Sequence, residues 1–296
     1  MRWKQGRRSD NVEDMRSASS SSMGAMGGVS AVARILPFLL RTKTGRTLLI
    51  IGVLVYFGAK FMGVDLLQLA TPPASMDAGS QQLSPKDQEL AEFVSVVLAD
   101  TESTWHQEFK KLGLTYQEPK LVLFRNAVSS ACGYAQSAMG PFYCPGDNKL
   151  YIDLAFYEDM KNKLGAPGDF AQAYVIAHEV GHHVQTLLGT SAKVTQAQQQ
   201  MSKAQANQLS VKLELQADCY AGIWGHYADT ERQMLEDGDI EEALNAASAI
   251  GDDKLQQQAG GAVRPESFTH GSSKQRVEWF NRGFEQGKVD ACNTFK

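Results

Sequence analysis

From Ala173 to Gly189 the chain reads AYVIAHEVGHHVQTLLG, and its apolar positions recur with the period of an α-helix. At about 100° per residue, Ala173, Ile176, Val180, Val184 and Leu187 gather on one side, which predicts burial of that side against a core. A second stretch, NQLSVKLELQADCYAGIWGHYA from Asn207 to Ala228, repeats the pattern with Leu213, Ala217, Tyr220 and Trp224 as its stripe. Upstream, KDQELAEFVSVVLADTESTWHQEFKKLG also places its apolar residues at helical spacing. Between these helices the pattern changes. PKLVLF reads as a strand, and PFYC and KLYIDL read as two more joined through the turn residues Gly146, Asp147 and Asn148. The expectation is an α+β fold that is predominantly helical.

One stretch fits neither pattern. Thr47 to Val64, TLLIIGVLVYFGAKFMGV, is apolar except for Lys60, and about 18 to 20 such residues suffice to cross a bilayer. Lys60 lies near one end, where it could reach the headgroups. Residues 1 to 46 before it are basic, rich in Ser and Gly and poor in apolar clusters apart from ARILPFLL, the composition of a flexible tail. ATPPASMDAGSQQLSP, from Ala70 to Pro85, has a linker's composition, and residues 65 to 84 read as the linker. The division is therefore a basic tail (1–46), a transmembrane helix (47–64), a linker (65–84) and a folded domain (85–296).

Charge orients this arrangement and narrows the partners. Residues 1 to 46 carry nine Lys/Arg and Asp65 to Pro85 none, so the positive-inside rule places the tail in the cytoplasm and the domain across the membrane. Of 29 Lys/Arg and 33 Asp/Glu in the whole chain, the tail holds nine and three, leaving 20 against 30 beyond it. A domain this acidic is ill suited to nucleic acid. Four cysteines are even in number and the predicted compartment permits disulfides. Three pairings are possible. Cys132 with Cys144 would close a short loop in the β region, stabilising it by roughly 3 kcal/mol on the chain-entropy model. Cys219 with Cys292 would then tie the second helix to the C-terminus. With no C-x-x-C pair, a zinc site of cysteines is disfavoured.

The chemistry sits on the polar sides of the two amphipathic helices. Three of six histidines fall within six residues, beside a glutamate. His178 and His182, four apart, share a helix face and could hold one metal ion, and Glu179 between them has the position of a general base acting on water in the H-E-x-x-H arrangement. Catalytic zinc takes three protein ligands, so one further donor is needed. Glu214 supplies it. Asp218, four residues on, shares its face and is placed to orient a ligand histidine through the other ring nitrogen. Gly222 and Gly225 follow on that face and would let the two helices approach closely. His183 points away from the metal pair, and His106 and His226 lie elsewhere on helices, so all three are expected to be structural.

H-E-x-x-H followed by a helical E-x-x-x-D is similar to the gluzincin metallopeptidases. More closely, HEVGHHVQ, ELQADCYAG, GPFYCPGDNKLYIDL, SFTHGSSKQRVEWF and the N-terminal MRWKQGRRSDNVEDMR together resemble the bacterial YpfJ-like neutral zinc metallopeptidases, in order and over nearly the whole chain. The resemblance implies a zincin-like domain, one Zn²⁺ per chain, a peptide or protein substrate, and a bacterial inner-membrane protein whose catalytic domain is periplasmic. It also implies that a strand edge in the β region pairs with extended substrate. His270, with Arg276 six residues later, is similar to the His-Pro segment and downstream arginine of membrane-associated gluzincins, with glycine in place of the proline. That likeness gives His270 the task of hydrogen-bonding an oxyanion; the equal alternative is a structural histidine in the loop before a helix capped by Ser272 or Ser273. The rival reading is a non-catalytic, zinc-stabilised membrane protein that binds a partner. Glu179 argues against it, because a structural site needs ligands and no base. An intramembrane protease is disfavoured by the polar residues flanking the motif.

Overall fold

The computed structural model describes residues 1–17 and 83–296, and the folded unit comprises Met1–Arg16 and Leu83–Lys296. The expected transmembrane helix at 47–64, most of the tail and nearly all of the linker lie outside the described residues. Among the described residues, no helix is long and apolar enough to cross a membrane.

The unit is α+β and mostly helical, as the periodicity predicts. Strand β1 (Val12–Asp14) is followed, after the undescribed segment, by helix α1 (Pro85–Lys111). Then come β2 (Lys120–Phe124), the hairpin β3 (Ala127–Ser130) and β4 (Gly133–Gln136), β5 (Phe142–Cys144) and β6 (Lys149–Asp153). The remainder is helical: α2 (Ala155–Asn162), α3 (Asp169–Leu187), α4 (Thr190–Gln198), α5 (Lys203–Thr230), α6 (Asp239–Ala249), α7 (Asp252–Gln258) and α8 (Ser273–Gln286). Helices α1, α5 and α8 each start at a capping box, Ser84 with Asp87, Ser202 with Gln205 and Ser272 with Gln275, which satisfies backbone N–H groups that have no partner within the helix.

The four-stranded sheet has the order β1-β2-β6-β5, with β1, β2 and β6 parallel and β5 antiparallel on the far edge. Alternation along the strands divides its two faces. Leu121, Leu123, Leu150 and Ile152 point into the main core with the helices, while Val122, Phe124, Tyr151 and Cys144 meet Val128 and Ala135 of the β3–β4 hairpin in a second, smaller cluster. Cys132 and Cys144 are bonded, as are Cys219 and Cys292, which is the pairing expected from sequence. The first bond ties the hairpin to β5, and the second ties α5 to the C-terminus.

The N-terminus departs from expectation. Residues 1 to 16 belong to the domain instead of a detached tail: Val12, Glu13 and Asp14 pair in register with Leu121, Val122 and Leu123. Trp3 is buried edge-on against Phe93, with ring centroids 5.4 Å apart, and the Ser9 N–H donates to the Ser95 carbonyl at 3.1 Å. The tail's basic composition misled because Arg7 and Arg16 are paired within the fold, with Glu102 and Asp14. A strand hydrogen-bonded into a sheet cannot lie across a bilayer from the rest of that sheet. A single crossing between residues 17 and 82, with the first residues on one side and the domain on the other, therefore conflicts with this fold.

Candidate metal centre

Helix α3 begins after Gly168, whose φ of 122° suits glycine and whose missing Cβ leaves room for the Glu242 carboxylate. Glu242 accepts from the Phe170 N–H at 3.0 Å, supplying a cap from another helix where no local side chain does so. From there the helix runs buried for most of its length, with Ala173, Ile176, Val180 and Val184 in the core and Leu187 partly buried beside it.

The face opposite carries the donors. Ligand atoms of His178, His182 and Glu214 all lie within 4.8 Å of one another. Glu214 Oε2 is 3.2 Å from His178 Nε2, and its Oε1 is 3.4 Å from His182 Nε2. The outer ring nitrogens are committed elsewhere: His178 Nδ1 donates to Asp218 Oδ1 at 2.8 Å, and His182 Nδ1 donates to Gln185 Oε1 at 2.9 Å. With both Nδ1 atoms carrying protons, both Nε2 atoms present lone pairs toward a carboxylate. Such groups repel unless a proton or cation lies among them, which is the condition a metal-binding set meets.

The electrostatics point the same way. Burial works against a charge on His178, yet the Asp218 carboxylate and then Glu214 prevail and lift it to about 9. His182 is raised as well, against its burial, by Glu214. Burial would raise Glu214, but the two imidazoles hold it well below the ordinary carboxylate range. Glu179 moves oppositely: burial raises it, and the histidines and the Tyr143 N–H only partly offset this. The centre is not sealed, since the side chains of His182 and Glu214 are 16% and 18% exposed. Water reaches the donors.

Asp218 is wholly buried and accepts four hydrogen bonds, from His178, from Tyr174 Oη at 2.5 Å, and from Arg276 Nε and Nη2 at 2.8 Å each. Arg276 on α8 is itself buried, and its Nη2 also donates to Tyr174 Oη at 3.2 Å. Sequence reasoning paired His270 with Arg276 without giving the arginine work. The structure puts it behind the metal helix as the counter-charge that keeps Asp218 ionised. Gln185 and Tyr174 went unrecognised, although Gln185, three residues after His182, was within reach of an i, i+3 reading.

One packing expectation is corrected. Gly222 does not face the histidine helix, and Gly225 meets it only through Phe170 at its N-terminal end. A Cβ on Gly222 would stand 2.1 Å from the Phe280 carbonyl oxygen of α8, and Gly225 faces Phe284 and Phe170. The α3–α5 approach is made by Gly181, whose Cβ would meet the Ala217 backbone at 3.0–3.1 Å. The helical wheel gave the shared face correctly but could not name the neighbour.

The remaining histidines fall as follows. His183 is buried, with Nε2 donating to the Gln117 carbonyl at 2.6 Å and Nδ1 3.1 Å from Tyr143 Oη. His106 pairs with Glu118, and His226 with the Phe284 carbonyl. His270 is exposed on the loop before α8, outside the donor triad. Its N–H donates to Asp252 Oδ2 at 2.6 Å, and its ring lies 3.3 Å from Asp252 Oδ1. The adjoining Gly271 packs against Val211 and Leu215, on the turn of α5 that carries Glu214.

The family match reaches well beyond the centre: a profile described as "Putative neutral zinc metallopeptidase" aligns with residues 1–295. The chain belongs to that family. It is 56% identical over 297 residues to the "Uncharacterized protein YpfJ" of Escherichia coli (strain K12), covering 100% of this chain and 99% of that protein. It is 42% identical over 213 residues to the "Uncharacterized protein Mb2605" of Mycobacterium bovis, covering 69% of this chain and 71% of that protein. No solved structure matches.

Proposed function

We propose that the domain is a zinc-dependent peptidase that hydrolyses peptide bonds with Glu179 as general base. Family membership supports zinc, and the donor set fits one ion: His178 and His182 would hold it through Nε2 and Glu214 through its carboxylate. When bound there, zinc would act as a Lewis acid and bring the pKa of a water toward neutrality. The single observation that carries the catalytic reading is Glu179 itself. It is buried beside the triad and, among the described residues, engages in no salt bridge; a site built only to stabilise a fold has no use for such a carboxylate.

Glu179 takes the proton of the attacking water onto its carboxylate and passes it to the departing amine. Burial raises its pKa, which brings it closer to the value at which both transfers are efficient. Asp218 fixes the His178 tautomer, Gln185 does the same for His182, and Arg276 holds Asp218. His270, raised in pKa by its hydrogen bond to Asp252, is the proposed donor to the oxyanion that forms on the substrate carbonyl. Strand β5 borders only β6 within the sheet and contacts α3, so its outer edge is available to an extended peptide.

The two disulfides favour a compartment outside the cytoplasm, and the apolar stretch 47–64 favours attachment to a membrane. The test is hydrolysis of unfolded protein by the purified chain, before and after chelation and again after adding zinc. Activity lost with the metal and restored with it supports the reading. Turnover untouched by complete zinc removal contradicts it.

A further inference from the structure

We propose that Tyr143 and His183 form a clamp that sets the gap between edge strand β5 and the metal helix α3, and thereby the lane in which a peptide lies over Glu179. This rests on the peptidase reading for its functional half and on geometry alone for its structural half.

His183 follows His182 in sequence but faces away from the donors, and it is 1% exposed. The Gln117 carbonyl can only accept, so the His183 Nε2 2.6 Å away carries the ring proton. Nδ1 is then an acceptor, 3.1 Å from the Tyr143 phenol, whose one proton is shared between it and Asn148 Oδ1 at 2.8 Å. The two rings meet edge-on with centroids 5.4 Å apart, and Tyr116 meets His183 edge-on from another side at 5.8 Å. His183 is thereby fixed at both nitrogens and along its ring. What it fixes in turn is β5.

Tyr143 is the middle residue of β5 and pairs with Leu150. Its side chain runs to α3, where the phenol meets His183. The neighbouring Cys144 points to the other face, where its disulfide to Cys132 ties β5 to the hairpin. Among the described strands β5 has only β6 as a ladder partner, and an edge strand of three residues held by one ladder has little stiffness of its own. The phenol–imidazole bond supplies the restraint on the helix side. This gives the third histidine of the motif a task that neither zinc binding nor proton transfer requires.

Tyr143→Phe removes one oxygen and leaves the backbone intact, and His183→Phe keeps a ring in the same space. On the zinc-loaded full chain, both should retain wild-type zinc content. Hydrogen exchange at the β5 amides should speed up about tenfold or more while exchange along α3 stays as in wild type. With a peptide long enough to lie along β5, about six residues, kcat/KM should fall about tenfold or more, and a minimal two-residue substrate should be affected far less. Each variant also loses a contact of its own, the phenol to Asn148 Oδ1 in one and the imidazole to the Gln117 carbonyl in the other, so the double variant should lose less than the product of the two single effects. Unchanged β5 exchange in both variants overturns the clamp. Equal losses on long and short substrates overturn its role in the substrate lane. A wild-type chain that hydrolyses nothing refutes the peptidase reading, and the exchange measurement still decides the clamp.

Discussion

Asp218 shows how much one carboxylate can organise. Its hydrogen bonds bring the metal helix, α5 and α8 to a single buried point, with His178 and Tyr174 from the first and Arg276 from the last. Burial would raise its pKa, but Arg276 and His178 depress it from 3.8 to about 2. The sign follows from linkage. A folded pKa below the unfolded one contributes stability that is present above about pH 4 and lost as pH falls toward 2, and a shift of this size is worth roughly 2 kcal/mol. Urea unfolding at a series of pH values should show that loss in wild type and not in Asp218→Asn. Arg276→Leu should destabilise by about 3–5 kcal/mol at pH 7, because it leaves Asp218 buried without its main counter-charge. A midpoint for Arg276→Leu equal to wild type would contradict this role. The Asp218 contact with a ligand histidine was legible from the spacing of the two helices' polar faces, but the Arg276 contact was not: Asp218 and Arg276 stand 58 residues apart, on helices whose mutual packing no local pattern encodes.

At the scale of elements, the two metal-bearing helices were legible because each satisfies two periodicities at once, an apolar stripe for the core and donors four apart on the other side. The β5–β6 hairpin was legible from its turn residues, and Asn148 does adopt a positive φ of 56°. Helix contacts were less so. Gly222 and Gly283 cross with each other's backbones close by: a Cβ on Gly283 would stand 1.9 Å from the Cys219 carbonyl oxygen. Gly283→Ala should therefore push α8 from α5 and move Arg276 off Asp218, at a cost of about 2–3 kcal/mol or more. Denaturant unfolding measures it. Gly283→Ala with unaltered stability would mean that the two helices are free to separate.

On the scale of the whole molecule, the strand at Val12–Asp14 changes the topology. It escaped sequence reading because three residues in a parallel edge pairing carry no alternation long enough to detect, and the surrounding basic residues resemble a solvated tail. With β1 in the same sheet as β2 and β6, residues 1–16 and 83–296 form one folded unit, and we propose that both lie on the same side of any membrane the chain meets. The Arg16 Nη1 donates to the Asp87 carbonyl at 2.6 Å, so the chain leaves and re-enters the domain at one place. Cysteines introduced at exposed Arg8 and at Glu285 should be labelled by a membrane-impermeant reagent from the same side. Labelling from opposite sides would restore a single crossing and require β1 to be unpaired in the cell.

The centre as a whole makes one demand of Glu179 that differs from every demand made of Glu214. Glu179→Gln keeps the side chain's size and lies outside the donor triad, so the variant should hold zinc as wild type does and lose peptide hydrolysis by on the order of 10²-fold or more. Glu214→Ala should lose zinc and activity together, since a donor is removed. The decisive measurement is the zinc content and peptidase rate of Glu179→Gln beside wild type. Full zinc with hydrolysis abolished is the expected result, and full zinc with hydrolysis at the wild-type rate would contradict Glu179 as the general base.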